Sequence, residues 1–360
     1  QPGGYADFVG SGWGTVMKLV CYAALMAAAL AVGSLEISDV LAAAGAEQAE
    51  PEAVTPEDPL GPVADWLMAR DDPRQRAAGI EYRLSMMGMN ASPTFDSASL
   101  LKALEDAIAD AGDGPSLSWL AGACASGIQE FCMDAGLDDA IVRYDGGNFF
   151  SRMALRKQPD ADEVRRLLIE SSVQRIYVPE LAAVWHDALQ HHDVQVGDKA
   201  VSDLPLSLLT AMNAVPPSRG LIEACSSGID VSSNWHDLCG RLGAEMATAG
   251  RTVAQRWRGW SLLEKRAEAL GDSDRATEYA TELTAFRNRY ACLSVSISTR
   301  IDELDPAGQS EFIRWLVEDG ELGAMERLAE RNRLDCSDPP DVRAEAMRRL
   351  RQLEAESVQP

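Results

Sequence analysis

Only four histidines occur in the 360 residues, and their neighbours decide what they could do. His186 and Asp187 are followed by His191, His192 and Asp193, which puts Asp187 and His191 four apart on one helical face. Such a pair can begin a metal site, but zinc needs a third protein ligand and usually a dry pocket. A solvated helix end, where an imidazole favours the helix dipole, accounts for the cluster. Cys225, His236 and Cys239 form C-x10-H-x2-C with no fourth ligand at a usual spacing, and these cysteines serve better in a disulfide. Neither a metal nor a cofactor is expected.

The block Gly271-Asp272-Ser273-Asp274 resembles the nucleophile block of GDSL-type hydrolases, where the serine follows a strand. Here it lies between two helical stretches, so Gly271 past a helix end and Asp272 or Ser273 as the next N-cap explain it. Tyr144-Asp145-Gly146-Gly147-Asn148 reads as a turn, without the preceding strand or the spacing of a phosphate-cradling loop. Trp185, Trp257, Trp260 and Trp315 fall on helical stripes and read as core or groove lining; exposed on a concave face they would anchor a partner. The run Arg327 to Arg351 interleaves Glu330, Asp335, Asp341 and Glu345, as a mixed solvated face does. No catalytic residue is assigned.

With 33 Lys plus Arg against 56 Asp plus Glu, the net charge is -23, which repels phosphate backbones and excludes nucleic acid as the expected partner. Hydrophobic residues at 46% and charged residues at 25% are ordinary for a globular chain, so wholesale disorder and a polytopic membrane protein are excluded.

Met17-Lys18 precedes an uncharged apolar run, Leu19 to Val32, which suits a signal peptide and is short of the ~20 residues of a membrane-crossing helix. Residues 1–16 are expected to be upstream sequence and 17–46 the signal peptide, cleaved after Ala46 or, equally admissibly, after Gly33; an uncleaved anchor helix is the alternative. Residues 47–62, rich in Pro, Ala and Glu, read as a flexible acidic linker. Six cysteines remain beyond the leader: Cys124, Cys132, Cys225, Cys239, Cys292 and Cys336. They allow 15 pairings. An even number in an exported chain favours disulfides, and spacing suggests Cys124 with Cys132, Cys225 with Cys239 and Cys292 with Cys336, each contributing roughly 2.5 to 4 kcal/mol by loop entropy. Buried free thiols in a cytosolic protein are the alternative. A periplasmic or secreted location follows, with no stable membrane span after cleavage.

From Val63 onward the periodicity is helical. Val63 to Leu67 and Ala77 to Leu84 flank a break at Asp71-Asp72-Pro73; Leu100 to Ile108 form the next stripe. Further helices are expected over 161–171, 179–190, 204–215, 251–270, 274–290, 309–319, 322–333 and 342–354. Leu293 to Ser298 alternates with period two, as a strand does, yet Phe286, Tyr290, Leu293, Ile297 and Ile301 share a helical stripe, and helix is the reading adopted. Ala123 to Ile128 matches Ala224 to Ile229 at five of six positions, 101 residues apart. Residues 63–198 thus form a helical region with one cysteine-loop unit, and 199–356 a second with the C-terminal helices.

The expected fold is all-α, with antiparallel helical hairpins stacked as an α-solenoid or compact superhelix and stapled by local disulfides. Leader, helix pairs and local disulfides together resemble, in style, the exported tetratricopeptide-like and Sel1-like helical-repeat proteins of Gram-negative bacteria. No 34- or 36-residue period occurs, and no functional residue carries over. The resemblance implies a binding scaffold, here of an unidentified protein or envelope component. Two rivals are an enzyme, of hydrolase type, assembled from distant groups such as His186, His192 or His236 with carboxylates, and an acidic inhibitor or immunity-type protein for a basic partner.

Overall fold

The structure is a computed structural model and describes residues 58, 60–88, 97–125, 127–156, 159–172, 174–192, 195–196, 199–200, 219–226, 234–298 and 304–336. The leader, most of the acidic linker and the helices expected over 204–215 and 342–354 lie outside these residues. The described chain is helical apart from one antiparallel pairing of two-residue strands, Gln195–Val196 with Lys199–Ala200.

Local chemistry sets where the first helices begin. α1 (Gly61–Met68) carries Pro62 in its first turn, and α2 (Pro73–Gly88) starts behind Asp72, whose carboxylate accepts the Arg74 and Gln75 amides at 2.8 and 3.2 Å. Asp58, near the end of the acidic stretch, is held in place: its carboxylate accepts the Tyr82 hydroxyl at 2.6 Å and meets Arg83 at 2.9 Å. α3 (Ser97–Asp110) is followed by α4 (Gly114–Cys124), N-capped by Asp113 through the Ser116 amide at 2.9 Å. Three short helices follow, α5 (Gln129–Asp134), α6 (Leu137–Tyr144) and α7 (Phe149–Ala154), then α8 (Ala161–Glu170), capped by Asp160, and α9 (Val178–Leu189).

Beyond the strand pair come α10 (Arg219–Ser226), α11 (Asn234–Ala249) and α12 (Val253–Ala269), the last opened by a reciprocal Thr252–Gln255 capping box. α13 (Ser273–Ser298) follows Gly271, and Asp272 accepts the Arg275 amide at 3.2 Å, so Gly271 to Asp274 is a helix-to-helix joint. Helix α13 runs through Leu293 to Ser298, because a stripe that packs Phe286, Tyr290 and Leu293 on a core outweighs a two-residue alternation with no partner strand. α14 (Pro306–Arg331) is interrupted at Gly320, with φ 79° and ψ 179°, at the break expected between 309–319 and 322–333.

Two apolar cores interleave along the chain. One takes Leu67, Leu100, Leu104, Trp119 and Trp185 from the early helices and Phe312, Trp315 and Leu328 from α14. The other gathers Phe149, Phe150, Val164 and Leu167 with Leu221, Leu242 and Leu262. Each core thus draws on both sides of residue 198. Every large apolar side chain so buried contributes roughly 1.5 to 3 kcal/mol. Helices α11 and α12 approach so closely that a Cβ on Gly259 would lie 2.2 Å from the Ala247 amide nitrogen.

The disulfides are Cys124–Cys132, Cys225–Cys239 and Cys292–Cys336. In the first two, a cysteine in the last turn of α4 or α10 is tied to the helix that follows, α5 or α11, so Cys124 and Cys225 hold corresponding positions at their helix ends. The third closes 44 residues of sequence between α13 and the segment after α14. Among the described residues, no helix is long and apolar enough to cross a membrane.

Candidate functional site: a groove between α9 and α14

The two helices meet along matched faces. α9 and the residue just past it present Ala183, His186, Asp187 and Gln190; the first half of α14 presents Ser310, Ile313, Arg314, Val317 and Glu318. Both sets follow the i, i+3, i+4, i+7 spacing of a single helical face. Together they line an open groove of about 430 Å³. Ala183, Ile313 and Val317 make an apolar floor, and the carboxylates stand at the rim.

Gln190 ties one wall to the other. Its Nε2 donates to Ser310 Oγ at 3.3 Å and lies 3.0 Å from Nε2 of the buried His186. The contact joins the side-chain amide to the imidazole, and which of the two donates follows the ring's tautomer.

A knot centred on Arg251 fixes the walls further down. In an unbroken helix the Glu321 amide would donate to the Val317 carbonyl; at the Gly320 break it donates instead to the Arg251 carbonyl at 2.7 Å. The Arg251 guanidinium in turn donates to the Val317 carbonyl and pairs with Glu180 of α9. One residue therefore replaces both halves of the missing helical hydrogen bond and links α14 to α9. Glu321 Oε2 accepts the Val253 amide at 2.9 Å, so the break also supplies a cap for α12. Burial pushes the Glu321 carboxyl above its usual range, with the Val253 N–H acting the other way. Gly320 is obligatory there: a Cβ would lie 2.3 Å from the Arg251 carbonyl oxygen, in a backbone conformation that L-residues rarely adopt.

The residues singled out by type are dispersed. His186 enters the groove, whereas His191 and His192 pack on Trp66, at ring distances of 5.8 and 5.1 Å, with Arg70 over the same indole at 3.9 Å. Asp193 lies outside the described residues. His236 is held by Arg266, which also donates to its carbonyl at 3.1 Å, and Cys225 and Cys239 are bonded to each other, so neither is a thiolate ligand. Among the described residues no group of three or more His, Cys, Asp or Glu could hold a metal ion. Trp185 is fully buried and Trp315 nearly so, while Trp257 and Trp260 are half-buried beside Arg287 and Tyr279 of α13.

The glycine turn after α6 does more than its composition suggests. Asp145 is 6% exposed and accepts the Tyr177 hydroxyl at 2.7 Å; Trp119 Nε1 donates to the Tyr177 carbonyl at 3.1 Å. Asn148 donates to the Arg175 carbonyl at 3.0 Å. Burial raises the Asp145 carboxyl, against the opposing effect of Tyr177, and burial with the adjacent Asp145 raises the Tyr177 phenol. This cluster braces α4, the turn and the approach to α9.

The α14 wall and Arg251 were missed from sequence because their partners lie 66 to 120 residues away. The chain matches no family model, no curated protein and no solved structure.

Proposed function

We propose that the protein is an exported binding or scaffold protein of the cell envelope, periplasmic or secreted, which receives a partner in the α9–α14 groove. The observation that carries this reading is the bracing of the groove. Two walls more than 100 residues apart in sequence are fixed by Gln190 and by the Arg251 knot, so the apolar floor is formed before any partner arrives. Three disulfides support the oxidising compartment, in line with the leader read over 17–46. On this reading the helix pairs stack as a compact superhelix, in the style of the exported tetratricopeptide-like and Sel1-like proteins, and residues 47–62 tether it.

The test is site-specific photocrosslinking in cells. A photoreactive phenylalanine analogue at Ala183 should yield a discrete adduct, and the same analogue at Asp162 on α8 should not. Adducts from neither position, or equally from both, would remove the groove as the partner face.

A further inference from the structure

The charges around the groove are unevenly compensated. Arg314 is engaged by Glu311 at 3.3 Å, and Glu311 also by Arg331 at 2.8 Å. Glu180 is taken by Arg251. Arg327 pairs with Asp319 at 2.6 Å and reaches Glu318 only at 3.9 Å. Asp187, exposed on the opposite wall, makes no ion pair among the described residues. Two carboxylates weakly matched in charge, one on each wall, thus flank the floor of Ala183, Ile313 and Val317. The segments 178–189 and 306–319 together hold five carboxylates, Glu180, Asp187, Glu311, Glu318 and Asp319, against the single cation Arg314.

From this we infer that the groove seats a cationic segment of a partner protein, with an apolar side chain on the floor and flanking Lys or Arg side chains directed to Asp187 and Glu318. The inference rests on the groove being the partner face. The groove is more open than enclosed, whereas small-molecule sites enclose most of their ligand, so a chain segment is the fitting occupant. A protein of net charge -23 draws such a segment in by long-range attraction, and the two rim carboxylates fix its position.

The test uses the full chain and three synthetic peptides of equal length, alternating Leu with Lys, Leu with Glu or Leu with Ser, followed by fluorescence anisotropy in low and physiological salt. The Leu-Lys peptide should bind, at least tenfold more tightly than Leu-Ser, and more weakly as salt rises. Asp187→Asn with Glu318→Gln should weaken it about tenfold. The same loss of charge at Asp274→Asn with Glu278→Gln, on exposed positions early in α13, should leave it within twofold. Ala183→Arg, which fills the floor, should abolish binding. If Leu-Ser binds as well as Leu-Lys and Ala183→Arg removes both, the groove stands as a partner face and the cationic specificity is overturned. Equal losses in the two charge-removing pairs would overturn it as diffuse attraction. If no peptide binds, both the inference and the groove as partner face are lost.

Discussion

Replacing Glu81 by Gln should make the protein's stability less sensitive to alkali, by an amount the structure sets. Glu81 lies on α2 at 2% exposure, with Ser85 Oγ donating to its Oε1 at 3.0 Å. Burial pushes its carboxyl from the ordinary 4.5 up to about 7, with Ser85 pulling the other way. Because the folded state holds this proton more tightly than the unfolded chain, the associated stability is complete below about pH 4.5. It is lost as pH rises through 7. Above pH 7 the native state bears the full cost of a buried carboxylate, about 3 kcal/mol, since each tenfold difference in proton affinity between the folded and unfolded chain is worth about 1.36 kcal/mol. Asp145 and Glu321 are raised as well, so the parent protein weakens with pH for several reasons; the difference between parent and variant isolates Glu81. Urea unfolding followed by circular dichroism, disulfides intact, should give Glu81→Gln a relative stability at pH 8 about 3 kcal/mol better than at pH 4.5, with the two m-values alike. A difference that stays constant with pH would show that Glu81 does not hold its proton in the folded state, and a variant that loses ground as pH rises would reverse the sign.

Three further outcomes follow from the braces around the groove and cores. Gly320→Ala should cost about 3 kcal/mol or more in the same unfolding assay, from the positive φ and the clash with the Arg251 carbonyl; a loss under about 1 kcal/mol would mean the break can relax. Arg251→Met should strand Glu180 and the Val317 carbonyl, and hydrogen exchange should show protection lost over 317–322 and 178–183 while α3 keeps its own. Tyr177→Phe should cost about 1 to 3 kcal/mol, because Asp145 then loses its hydroxyl donor at a 6% exposed position; an unchanged midpoint would show that the pair carries no net stability.

What the sequence disclosed was what is local. Asp72, Asp113, Asp160 and Asp305 stand where helices begin, and each caps its own amides within three residues. The break at Gly320 and the joint at Gly271 were legible from residue type alone, and cysteine spacing pointed to all three disulfides, two closing short loops between successive helices and the third pairing the two cysteines left over, 44 residues apart. Leu293 to Ser298 was ambiguous locally and was decided by the stripe that reaches back to Phe286. The groove was not legible, since its walls come together only when α14 returns to the core built by the early helices. Arg251 shows the reason most plainly. Nothing nearby in sequence marks it, and its importance comes from a carbonyl and an amide freed 66 and 70 residues later.

An exported binding protein stapled by local disulfides must carry its cysteines oxidised in the cell, and their oxidation state there is the decisive measurement. Cells should be lysed in acid, thiols alkylated at once, and the protein mapped without reduction. Three linked peptide pairs are expected, Cys124 with Cys132, Cys225 with Cys239 and Cys292 with Cys336, and no alkylated thiol among the six. Alkylated thiols at these positions in the bulk of the protein would contradict export and stapling alike, removing the oxidising compartment and the staples together.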